Sequence, residues 1–104
     1  MIEIERLAFL EERLGVRLEG LSAFSTEDNL FFYVEICGEM QSANGTKLQQ
    51  NISIVFDVYD TSGRIVQTDS TFSPANAFFE FMTFSKRLSI PVPNISKIRI
   101  YPKL

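Results

Sequence analysis

The sequence contains no histidine and no tryptophan, and its only cysteine is Cys37. Without histidine there is no Ser-His-Asp triad, no Cys-His pair, and no metal site or proton relay built on imidazole. A lone cysteine excludes an intrachain disulfide, a CxxC redox pair and a structural zinc knuckle. Glycine and proline are few, five and four, so the chain carries neither a collagen-like repeat nor a flexible linker. No segment approaches the roughly 18 uninterrupted apolar residues of a membrane-spanning helix. Basic residues are outnumbered by acids, ten to 13, and the one adjacent basic pair is Lys86-Arg87. Nucleic acid is therefore not an expected partner, because phosphate binding needs clustered Lys and Arg.

What is present suits a single globular domain covering residues 1–104. Hydrophobic residues make up 45% of the chain and charged residues 22%, enough for one core and too balanced for disorder. Charge is unevenly spread. Residues 1–60 hold four basic and eleven acidic residues; residues 61–104 hold six basic and two acidic. Either strands from both halves interleave and the fields mix, or the molecule is polar and docks a charged partner or a second copy head to tail. The start, Met1-Ile2-Glu3-Ile4-Glu5-Arg6, lacks the basic region and apolar run of a signal peptide. Taken as complete, the chain is expected in the cytoplasm; with a leader or anchor upstream it would be secreted or held at the cell surface. Asn44-Gly45-Thr46, Asn51-Ile52-Ser53 and Asn94-Ile95-Ser96 match the glycosylation triplet, which matters only on a eukaryotic secretory route; without a leader they read as turn and strand-edge residues.

From Leu30 onward the hydrophobic period is two. In Leu30–Met40, Phe32, Val34, Ile36 and Met40 share one face; Glu35, Cys37 and Glu39 share the other with Phe31 and Tyr33. Asn44-Gly45 marks a tight turn. In Gln50–Asp60, Ile52, Ile54, Phe56 and Val58 point one way and Ser53, Asp57 and Tyr59 the other. Asp60-Thr61-Ser62-Gly63 is a turn. Arg64–Phe72 is a weaker strand. Phe78–Phe84 is apolar on nearly both faces, with Phe79 and Phe81 on one and Phe78 and Phe84 on the other. Pro91 and Pro93 keep their segment out of a central strand. In Ser96–Tyr101, Ile98 and Ile100 oppose Lys97, Arg99 and Tyr101. Leu21–Asn29 is expected to be loop. Residues 1–20 support two readings. Leu7, Leu10 and Leu14 have helical spacing, with Glu11-Glu12-Arg13 as a solvent face and Gly15 as a stop; Ile2/Ile4 and Val16/Leu18 alternate as a hairpin would. The expected fold is all-β, an immunoglobulin-like sandwich of about seven strands, with helix or hairpin at residues 1–20 left open.

Phe56-Asp57-Val58-Tyr59-Asp60-Thr61-Ser62-Gly63 resembles the signature of the FxLYD-type domains: an aromatic, any residue, an aliphatic, Tyr-Asp, two residues and Gly. Val58 stands where that family usually has Leu. Val34–Gly45 is similar to its G-x-V-x-N strand and turn, with Met40 in place of Val and Ser42 where Asn is expected. Phe79-Glu80-Phe81 and Lys97–Pro102 are similar to its closing strands. The likeness covers roughly residues 30–102. It implies an immunoglobulin- or fibronectin-like sandwich of the kind found mostly in bacterial and archaeal proteins, often secreted or lipid-anchored, and a binding role rather than a reaction.

Candidate chemistry is thin. Asp57, Asp60 and Asp69 flank one turn but are sparser than calcium loops require. Glu35 and Glu39, four apart on a strand, would lie about 13 Å apart, beyond the range of a glycosidase pair. Cys37 sits among acids, which disfavour its thiolate. Tyr59 and Asp60 both have structural uses, as sheet cover and turn cap. No catalytic residue, metal ligand or cofactor-binding residue is assigned. The aromatics carry more weight. Phe31, Tyr33, Phe78 and Phe84 lie off the main apolar faces. Either a thick sandwich, a helix or a second copy covers these rings, or they form an exposed interaction face. The expected function is a non-enzymatic module presenting a sheet edge or aromatic face to a protein partner, itself included. The alternative is a small-ligand or carbohydrate-binding domain that uses the same rings.

Overall fold

A computed structural model describes residues 2–42, 51–73 and 81–104. Within them are seven strands and one helix: β1 (Glu3–Arg6), α1 (Ala8–Leu14), β2 (Val16–Asp28), β3 (Phe31–Ser42), β4 (Ile52–Asp60), β5 (Ile65–Ser73), β6 (Phe81–Ile90) and β7 (Ile95–Lys103). They form two sheets, ordered β1-β7-β4-β5 and β2-β3-β6. β1 runs parallel to β7, and every other pairing is antiparallel. The fold is an all-β sandwich. The Asn44-Gly45 turn and Phe78 lie outside the described residues.

The alternation foreseen in the two central strands is what closes the core. Val34, Ile36 and Met40 of β3 face Ile52, Ile54, Phe56 and Val58 of β4, and β7 adds Ile98 and Ile100. All are buried, as the period of two requires when one sheet face is covered. At the centre, Phe84 of β6 lies opposite Gly38 of β3 and meets the Phe56 ring at 5.9 Å between centroids. A Cβ on Gly38 would come within 2.7 Å of the Phe84 ring and 2.5 Å of Leu21. The glycine is therefore the space that the ring occupies.

The amino-terminal segment is a strand and then a helix, which answers the open choice at residues 1–20 against the hairpin. Gly15, at φ 70°, ends α1 in the left-handed conformation. Glu11, expected on the solvent face, is instead buried. Its carboxylate accepts from Arg6 through Nε (3.1 Å) and Nη2 (2.6 Å) and from the Leu18 backbone N–H (2.9 Å). The ion pair raises the Arg6 pKa. One side chain thus ties β1, α1 and β2 together. Burial of a carboxylate is tolerated here because each oxygen is hydrogen-bonded.

Two further expectations change. Leu21–Asn29 is not loop: β2 continues to Asp28, with an extra residue accommodated between Glu19 and Ser22. In β6 the inward face carries Phe84, Leu88 and Ile90, so Phe84, expected off the main apolar face, belongs to the core. The polar run Thr83, Ser85, Arg87, Ser89 alternates against them and sets the register.

Charges from the two halves of the chain meet on the outer face of each sheet. Glu5 of β1 pairs with Lys97 (3.4 Å) and Arg99 of β7, and Glu35 of β3 approaches Arg87 of β6 (3.9 Å).

Two substitutions test this packing. Gly38→Ala should lower stability by about 1–3 kcal/mol in urea unfolding, because the Phe84 ring and the Leu21 side chain, not solvent, fill the site. Glu11→Ala should lower it by about 2 kcal/mol, and Glu11→Gln by less, since an amide oxygen still accepts from the Leu18 N–H.

Candidate functional site

Three connections gather at the end of the sandwich opposite α1: Asn29-Leu30 between β2 and β3, residues 61–64 between β4 and β5, and residues 91–94 between β6 and β7. The second and third are tied by Thr61 N–H to the Asn94 carbonyl (3.0 Å) and by Asn94 Nδ2 to Thr61 Oγ1 (3.0 Å). The turn at 60–64 is built around Asp60. Its Oδ1 accepts from the Ser62 N–H (2.9 Å), the Ser62 hydroxyl (2.7 Å) and the Arg64 N–H (3.0 Å), while Gly63 takes φ 86°. These bonds, the Ser62 hydroxyl first, hold the Asp60 carboxyl below the usual carboxylate range.

The β2–β3 tip is built differently. Asn29 and Leu30 both have positive φ, 48° and 76°, as a two-residue hairpin loop demands. Asparagine tolerates that conformation; leucine does not, and its side chain is 89% exposed. Beside it Phe31 is 60% exposed, and Phe24 stands on the same outer face of the sheet at 48%. Tyr33, next along that face, is half-buried under the Arg87 guanidinium, 4.0 Å from the ring centroid. Below the tip is an open hollow of about 430 Å³ lined by Leu30, Phe31, Phe32, Gln67, Ser89, Ile90 and Pro91.

Of the four rings singled out from sequence, the structure places Phe31 and Tyr33 on this surface. Phe84 is not on it: it is in the core, filling the space over Gly38. Phe78 lies outside the described residues. Phe24 and Leu30 were missed because Leu21–Asn29 carries no long apolar alternation. The available signal was Asp28-Asn29, a turn pair placed two residues before a run of β-formers.

The ionisable groups do not converge. Asp57 accepts from the Thr68 hydroxyl (3.1 Å) and lies against the Tyr101 hydroxyl; burial, then the Asp57 charge, pushes the Tyr101 phenol up. Asp60 caps its turn, and Asp69 bridges to Lys86 of β6 (3.6 Å). Glu39 accepts from the Gln41 amide (2.6 Å), and Cys37 Sγ lies 3.6 Å from Ser85 Oγ. Among the described residues no three of Cys, Asp or Glu are grouped as metal ligands would be. Lys97 and Arg99 stack over the Tyr59 ring at 4.5 and 5.4 Å. Arg99 first, then Lys97, lowers the Glu5 pKa.

No family model matches the chain, and neither a curated protein nor a solved structure matches it. No helix among the described residues is long and apolar enough to cross a membrane.

Two outcomes follow. Leu30→Gly should raise stability by roughly 0.5–1 kcal/mol, the relief of left-handed strain less the added freedom of the unfolded chain. Glu5 and Asp60 both have depressed pKa values in the fold. Their contribution is complete above the unfolded carboxylate range and is lost as pH falls through the folded values. The melting temperature should hold between about pH 7 and pH 5 and drop below about pH 4, with a shallower drop in Glu5→Gln and Asp60→Asn.

Proposed function

We propose that this chain is a non-enzymatic interaction module whose hairpin tip and adjoining outer sheet face, Phe24, Leu30, Phe31 and Tyr33, receive a protein partner. The observation that carries this reading is Leu30: an aliphatic residue held at φ 76° with nearly its whole side chain in water. Strain of that kind costs about 1–3 kcal/mol and a glycine would remove it, so a role outside the fold is the economical account. The neighbouring rings supply rigid apolar area of the sort that anchors interfaces, and Arg87 over Tyr33 supplies a polar border. The low content of acid–base equipment, with no histidine and each central carboxylate engaged in a turn, a bridge or a sheet hydrogen bond, fits binding better than catalysis.

The FxLYD-type resemblance supports the same reading. Its aromatic and aliphatic positions, Phe56 and Val58, are core residues, Tyr59 is stacked sheet cover, and Asp60 and Gly63 make the turn. A motif used wholly for folding fits a scaffold whose specificity lies in its loops. An immunoglobulin-like assignment and a bacterial source are part of this proposal. A second reading, a small-ligand or carbohydrate site, is favoured by the hollow beneath Leu30, although Phe31 alone of the four rings first singled out lines it.

The test is photo-cross-linking in the host, with a benzophenone amino acid at position 31 and, as control, at position 12 on α1 at the far end. Adducts to another protein from position 31 alone are expected, and Leu30→Gly should weaken them while leaving the fold intact. Equal labelling from both positions would sink the proposal.

A further inference from the structure

Among the described strands, β1, β5, β2 and β6 lie at sheet edges, and they are not equally protected. β1 is short and carries Glu3, Glu5 and Arg6, features that discourage pairing. β5 and β6 adjoin along one flank, where Asp69 and Lys86 bridge the sheets. The first part of β2 is covered by α1, and Glu11 takes the Leu18 N–H. Past the bulge, Ser22–Asp28 is open. Asp28 and Phe31 close the two-residue loop, so Asp28, Thr26 and Phe24 direct their backbone groups to β3. Ala23, Ser25 and Glu27 direct theirs the other way, and among the described residues no backbone group meets them there.

Side chains alternate along the same stretch. Ala23 turns inward, where a groove of about 440 Å³ is lined by Ile2, Ala23, Phe24, Ser25 and Ile95. Glu27 follows on that face. Phe24, Thr26 and Asp28 lie on the outer face, paired with Glu35, Tyr33 and Phe31. The hairpin end therefore carries one carboxylate on each face. Both are exposed, and no cation among the described residues pairs with either. The stretch itself contains no basic residue and no proline.

We infer that Ser22–Asp28 receives an extended segment of another protein as an added strand, apolar where it enters the groove and dibasic where it passes Glu27 and Asp28. The inference rests on the interaction-module reading above and names the chemistry of its partner. The added strand meets the outward backbone groups of Ala23, Ser25 and Glu27. Alternate side chains of that strand fall inward over Ile2, Ala23 and Ile95, where aliphatic residues displace water; the others lie beside Phe24 and Thr26. At the hairpin end consecutive residues meet Glu27 on one face and Asp28 on the other, so two adjacent Lys or Arg complete the pairing. An acidic segment would place like charges together there.

The experiment selects short random peptides displayed on phage against the whole chain. Selected peptides should alternate aliphatic with polar residues and carry adjacent Lys or Arg toward one end. On binding, exchange of the Ala23, Ser25 and Glu27 amide protons should slow, as read by NMR. N-methylation of the peptide backbone should abolish binding at alternate residues and be tolerated between them, with the protein unaltered. The double variant Glu27→Lys, Asp28→Lys should weaken binding about tenfold or more, and peptides with Glu in place of the basic pair should regain it on that variant. Ser25→Pro, which removes an outward N–H and leaves the β3 ladder intact, should also abolish binding. Circular dichroism melts establish that each variant is folded. Selection of no peptide, or of peptides without basic residues, overturns the inference, as does binding indifferent to N-methylation or to the charge reversal. A chain that slows the same amide protons by dimerising alone overturns it in favour of a second copy. Position-31 adducts in the host without selection of dibasic peptides would remove this partner and leave the module reading standing. Dibasic peptides bound at the edge with no such adducts would do the reverse.

Discussion

The sandwich closes around a missing side chain. Gly38 on β3 leaves room for the Phe84 ring, which reaches across to Phe56 on the opposite sheet, with Leu21 beside it. Sheets pack about 10 Å apart with their inward side chains interdigitated, and here the ring takes the space that a side chain at its cross-strand neighbour would fill. The rest of the core follows from that contact. Once Phe84 points inward, Leu88 and Ile90 must do the same, and the polar alternates of β6 turn out to water. β3 then presents Val34, Ile36 and Met40 inward and leaves Phe31, Tyr33 and Glu35 on the outer face.

Closure of the two layers also distributes the edges. α1 carries the chain from one sheet to the other and occupies the first part of the β2 edge, where Glu11 satisfies both a cation and a backbone donor. The opposite flank is held by a bridge between the sheets. What remains open is the outer half of the β2–β3 hairpin, which extends past the covered core to a strained leucine with nearly its whole side chain in water. Rigid scaffold and exposed tip are thus two consequences of one arrangement: the core is short, and this hairpin is longer than the core needs.

The fold class was legible because β3, β4 and β7 alternate cleanly, and alternation in sequence is alternation across a sheet. β6 was legible as a strand but not in its register. Phe79, Phe81 and Phe84 are equally apolar, and only the longer run through Leu88 and Ile90 separates the faces. β2 was hidden for a related reason. Its outer half is exposed on every residue from Phe24 to Asp28, so no hydrophobic period marks it; it is a strand because β3 pairs with it. Of the candidate surface, Phe31 and Tyr33 were visible as off-face rings, whereas Phe24 and Leu30 were not, since both depend on where that hairpin turns.

The sequence alone determined that the molecule is a β-rich domain with a core drawn from alternating Val, Ile and Phe, and that acid–base chemistry through histidine is closed to it. Those are properties of composition and local period, and neighbours cannot change them. Tertiary structure decided that Glu11 is buried, that Phe84 is core and Phe31 is surface, and that β1 runs parallel beside β7. Each depends on which residues distant in the chain arrive at the same place: a carboxylate goes inside only when Arg6 and the Leu18 N–H meet it there, and a ring goes inside only where Gly38 leaves it room.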